Sequence, residues 1–126
     1  GLVAITAEPL TPTPGLAMVI GSIGALIMYF GTKMLESFGI DDVVGAIPVH
    51  MFAGIFGTLV VPISNSDTSF GTQFVGTISV CVFSFVLSYL VFLALKATVG
   101  LRISKAAEKL GTDKSEIGVT AYAIRD

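Results

Sequence analysis

Three ionisable side chains in this sequence have the type and spacing to do chemistry: the only histidine, His50, and the acidic pair Asp41 and Asp42, with Asp42 eight residues ahead of the ring. A neutral imidazole gives one hydrogen bond, receives another and can pass a proton. A carboxylate can attract a cation or cap a helix N-terminus. His50 lies in DDVVGAIPVHMFAGIFGTLVVPI, residues 41–63, where no charge follows Asp42. An ionisable ring in so apolar a run is costly unless it faces protein or a watery path, which makes His50 a candidate functional residue. A structural hydrogen bond to a neighbour and a place in a transport pathway both remain open for it. Asp41 and Asp42 are adjacent and point in different directions on a helix, so capping competes with a substrate role for each. No nucleophile with a base, paired catalytic carboxylate or metal-ligand set accompanies the histidine. An enzyme is therefore not expected, and neither is a cofactor or a metal.

The elements that must hold these residues are membrane spans. Of the 126 residues 53% are hydrophobic and 13% charged, with a mean hydropathy of +0.89, which is too apolar for an ordinary soluble domain. The net charge of −2 speaks against nucleic acid as a partner. The single cysteine, Cys81, excludes an internal disulfide and reads as a small packed side chain. The expected class is all-α integral membrane, with three transmembrane helices over about 15–32, 43–63 and 70–95. Residues 1–14 read as a Pro-rich outer loop and 96–126 as a polar tail. The third span, 26 uncharged residues or about 39 Å as a helix, exceeds the hydrocarbon thickness and predicts a tilted or protruding helix. The sequence begins GLVAIT without a Met, so a fragment is expected.

With three spans, Lys33 and the six basic residues after Leu95 fall on one side, which the positive-inside rule makes cytoplasmic. Counted from Val43, His50 then lies about 10 Å inside that boundary. At 100° per residue Val43, Ala46, Ala53, Gly54 and Gly57 fall within about 60° of His50, while Phe52, Ile55, Phe56 and Leu59 lie opposite. So small a surround either admits a close helix or leaves a narrow passage. Pro48 predicts a local break beside the histidine. Ala17, Gly21 and Ala25 form a second small-residue seam, and Thr77, Cys81, Ser84 and Ser88 a third, suited to helix contact.

The order GLVAIT, a span, DDVVGAIPVHMFAGIFGTL, a long span ending VGLRIS, and a tail with SEIGVTAY resembles the C-terminal third of an Amt/Mep/Rh ammonium transporter. The resemblance implies the last three helices of an eleven-helix subunit in a homotrimer of the plasma or inner membrane, C-terminus cytoplasmic. It implies that His50 is the second of two hydrogen-bonded pore histidines and that Asp42 stands near the cytoplasmic mouth. It also implies that Gly100, Arg102 and Tyr122 belong to a tail that couples subunits, near where a PII-type signal protein docks. The partners implied are ammonium or ammonia, the bilayer and the preceding part of the same subunit, without which transport is not expected. The tail departs from the family pattern, with KAAEK where acids are common and IGV where HGE is common, which bears on PII docking rather than on the helices. A small structural membrane subunit and an ammonium sensor of the same family are the alternatives.

Overall fold

A computed structural model describes residues 1–121. The described residues are helical and turn structure without a strand, in two compact units, Gly1–Phe83 and the residues from Ser84 onward. Three helical stretches are long and apolar enough to cross a membrane: Pro14–Ser37, Ile47–Ser64 and Phe70–Thr98, with mean hydropathies of 1.7, 1.7 and 2.5.

Residues 1–14 are not all loop. Leu2–Ile5 form a one-turn helix, α1, before the proline-rich connector. α2 follows over Pro14–Ser37. Thr13 caps it, its hydroxyl accepting the Leu16 N–H at 3.2 Å. Pro14 takes the first helical position, where a missing N–H costs nothing. The expected end at residue 32 is overrun by five residues, because the charges of KMLES end hydrophobicity but not helix propensity. The helix stops where Gly39 adopts φ +69°, with Gly39 N–H on the Glu36 carbonyl at 2.9 Å and Ile40 N–H on the Leu35 carbonyl at 3.0 Å. This left-handed C-terminal closure suits glycine.

The second span starts later than the expected residue 43. Asp42 to Gly45 form a tight turn, Gly45 N–H meeting the Asp42 carbonyl at 3.0 Å with Gly45 at φ +68°. The chain then enters a π-helical stretch, Ile47–Phe52, which continues as α3, Ala53–Ser64. Pro48 sits in the first turn of this span, so the break predicted from it takes the form of a wide π turn. Pro62 lies inside α3, which runs two residues beyond it to an Asn65 cap whose N–H meets the Val61 carbonyl at 3.0 Å.

Small residues let α1, α2 and α3 approach closely. Ala4 is 2% exposed, wedged between Gly24 of α2 and Gly57 of α3. A Cβ on Gly57 would meet the Ala4 Cα at 2.8 Å. Lower down, a Cβ on Gly31 would meet Phe52 Cδ2 at 2.6 Å and Pro48 Cβ at 3.1 Å. The packed stripe of α2 is therefore Ile20, Gly24, Gly31 and Leu35. The seam predicted through Ala17, Gly21 and Ala25 holds in part: Ala17 and Gly21 are half-buried and Gly21 meets the backbone of Gly1, just before α1, whereas Ala25 is exposed.

α4 spans Phe70–Thr98, 29 residues or about 44 Å, and contains no buried residue. It outlasts the expected residue 95 because Lys96 is favourable in the last turn of a helix. Of the predicted polar stripe, Thr77 and Cys81 are half-buried while Ser84 and Ser88 are exposed. In the second unit Gly100, at φ +86°, ends α4, its N–H on the Leu95 carbonyl at 2.9 Å. A short helix, α5, follows over Lys105–Leu110, capped by the Ser104 hydroxyl on Ala107 N–H at 3.2 Å. A second π stretch covers Asp113–Ile117.

Candidate functional site

The site is built on the start of the second span. Asp42 uses both carboxylate oxygens there, Oδ1 accepting from Ala46 N–H at 2.9 Å and Oδ2 from Ile47 N–H at 2.7 Å. Two of the donors that every helix leaves unpaired at its N-terminus are satisfied by one side chain, at the end where the dipole favours negative charge. Asp41 is exposed. Both aspartates line a cavity of about 310 Å³ between the end of α2 and the start of the second span, together with Thr32, Leu35, Glu36 and Pro48. Glu36 thus joins the acidic pair. Its signal in the sequence was its place in the charged run KMLESFGIDD, residues 33–42, although nothing in the spacing tied it to Asp42.

His50 is not among the residues lining that cavity. It lies within the π stretch, exposed, as are Ala46 and Met51 beside it. Helical counting at 100° fails here for a physical reason: Val43 belongs to the preceding turn, and a π turn holds more residues than an α turn, so phase is lost between residues 47 and 52. Ala53, 1% exposed, and Gly57 consequently lie on the packed inner face with Val61. Of the two uses open to the small residues, Gly57 has the close helix approach, with Ala4 seated on it. Gly54 is half-buried with Val3 Cγ1 within 3.7 Å of where its Cβ would stand. The histidine and the small residues once grouped with it are divided between two faces.

At the opposite end of the same unit, Asn65 Nδ2 donates to Glu8 Oε2 at 2.7 Å, joining residues 57 positions apart. That bond holds the Glu8 carboxyl below its ordinary value, helped by the Leu10 N–H. No local pattern announces a pairing at such a separation. In the tail Arg102 forms an ion pair with Glu108, Gly100 terminates α4, and Tyr122 lies outside the described residues.

The sequence profile of the Ammonium Transporter Family matches residues 1–122. The chain belongs to the ammonium transporter family. Ammonium transporter Amt2 of Archaeoglobus fulgidus is 35% identical over 97% of this chain and 30% of its own length. Ammonium transporter Amt1 of Haloferax mediterranei is 34% identical over 97% of the chain and 25% of its own length. Ammonium transporter Amt1 of Methanocaldococcus jannaschii is 31% identical over 98% of the chain and 34% of its own length. The chain thus spans about three-tenths of the length of relatives such as the Archaeoglobus protein. Family membership and three apolar helices together make it a membrane protein.

Proposed function

We propose that this chain forms part of a transporter that carries ammonium or ammonia across the membrane along a narrow apolar path, with His50 on its wall as the second of a histidine pair. Family membership carries the reading. The exposure of His50 supports it: the inner face of the second span is taken by Ala4, Pro48 and Phe52 contacts, whereas the ring is unspent on this chain's own packing and can meet a helix from elsewhere in the subunit.

The chemistry follows from desolvation. Ammonium loses several kcal/mol of hydration in a dry apolar passage, so proton and ammonia cross more easily when they part. An imidazole pair suits that separation because each ring can give and accept a hydrogen bond and pass a proton. Asp42 is a positioning residue, fixing where the span begins, while Glu36 and Asp41 add negative charge around the adjoining cavity. The mouth so formed faces the cytoplasm, with Lys33 and the basic tail on the same side by the positive-inside rule. The complete protein is a homotrimer in which Gly100, Arg102 and Tyr122 belong to the coupling tail and a PII-type protein is a candidate partner.

The test is ammonium uptake, with potassium as competitor, by the complete transporter carrying His50→Ala. Altered or abolished electrogenic uptake is expected; unchanged uptake with unchanged discrimination removes His50 from the path.

A further inference from the structure

His50 sits where its own helix holds it least. Pro48, two residues ahead, has no N–H to give, and at the end of the π stretch the Ala53 N–H reaches both the Pro48 and the His50 carbonyls. With the backbone ladder widened in this way, packing must fix the direction of the ring. α2 supplies that packing at Gly31, which is buried and receives Pro48 and Phe52 together. The Pro48 side chain is fully buried and Phe52 is half-buried. A Cβ on Gly31 would stand 2.6 Å from Phe52 Cδ2 and 3.1 Å from Pro48 Cβ, so only glycine leaves both in place. Pro48 and Phe52 lie four positions apart, and His50 lies midway between them, roughly half a turn around the helix axis. The two side chains seated against Gly31 thus aim the third away from it, and His50 is exposed.

We propose that Gly31 is a positioning residue for His50: its missing side chain makes the notch that seats Pro48 and Phe52, and this joint sets where the imidazole points. The proposal rests on the reading of His50 as a wall residue of the ammonium path. Carbon atoms rest about 3.5–4.0 Å apart, so a methyl group at residue 31 displaces the stretch from Pro48 to Phe52 by about 1 Å. A hydrogen bond of about 2.9 Å does not survive such a stretch, and a ring paired with a second imidazole loses its partner. Gly24 is the comparison on the same helix. It is as closed to a Cβ as Gly31, but the side chain it would strike is Ala4, not the π stretch.

The test uses the complete transporter carrying Gly31→Ala, Gly24→Ala or Pro48→Ala, with two readouts: ammonium current against potassium as competitor, and the place of the His50 ring by cryo-electron microscopy. Gly31→Ala is expected to lower ammonium-over-potassium discrimination several-fold and to move the ring by about 1 Å. Gly24→Ala crowds the same helix away from the joint, so it should lower the thermal midpoint and leave discrimination and ring as they are. Pro48→Ala restores the missing donor without adding bulk, which keeps the test open should Gly31→Ala fail to assemble; it should turn the ring and lower discrimination as well. A ring unmoved in Gly31→Ala and in Pro48→Ala overturns the joint. So does an equal loss of discrimination in Gly24→Ala and Gly31→Ala, which would make both plain packing defects. Unchanged discrimination in His50→Ala removes His50 from the path and overturns the functional half of the proposal with it, whereas an unmoved ring overturns the joint alone.

Discussion

The wedge of α1 between α2 and α3 and the long helix α4 are both apolar, yet they spend their apolar surface differently. In the wedge Gly24 and Gly57 bring backbones close to Ala4, Gly31 receives the Phe52 and Pro48 side chains, and Ala4, Ala53 and Val61 are buried at 2%, 1% and 5% exposure. α4 has the highest mean hydropathy of the three spans, 2.5, and no buried residue. Hydrophobicity therefore does not report packing here. In a bilayer, lipid tails satisfy Leu or Phe as well as another helix does, and small residues decide which faces meet. α4, apolar all round, is a surface for lipid and further helices.

The largest effect is expected where that contrast is sharpest. Gly57→Leu drives a side chain into the Ala4 backbone and should cost about 2–3 kcal/mol, seen as a lower thermal midpoint in detergent. Gly76→Leu on α4, where a Cβ meets nothing within 4 Å, should change stability by less than about 0.5 kcal/mol or raise it slightly. Equal losses would erase the distinction between the two regions.

An intermediate effect is expected at the start of the second span. Asp42→Ala leaves the Ala46 and Ile47 N–H groups without their acceptor and should cost about 1–2 kcal/mol. Circular dichroism melts check it, with Asp41→Ala, at an exposed neighbour, as the near-neutral control.

The smallest effect is a pH dependence confined to the wedge. Glu8 is held below its ordinary value of 4.5 by Asn65. Its contribution is therefore complete above pH 4.5 and is lost as pH falls through the lower folded value. Melting of the native chain should weaken slightly in that acid window, and Glu8→Gln should flatten the slope there. A slope unchanged in the variant would assign it to other groups.

The three spans were legible because a bilayer demands long uncharged helices, and composition alone reveals them. The family was legible from the GLVAIT, DDVVGAIPVH and VGLRIS segments taken together. Asp42 as a helix cap competed openly with a substrate role, and its two N–H partners now account for both oxygens. The face of His50 was misjudged because ideal α-helical phase was carried through Pro48, where the backbone widens into a π turn. The α1 wedge was hidden because four residues are too few for a periodic signal, although Gly24 and Gly57 were its receiving surfaces. Of Ala17, Gly21 and Ala25, which satisfied a spacing rule, Gly21 meets the Gly1 backbone while Ala25 is exposed, since spacing cannot say how far along a helix a neighbour stays in contact.

The central claim is that the outward face of the second span, and not the surface of α4, carries the ammonium path. Currents evoked by an ammonium jump in proteoliposomes of the complete transporter test it, comparing His50→Ala with Gly76→Ala. The account predicts a current altered or lost for His50→Ala and retained for Gly76→Ala. A His50→Ala current equal to that of the unmodified transporter would contradict it.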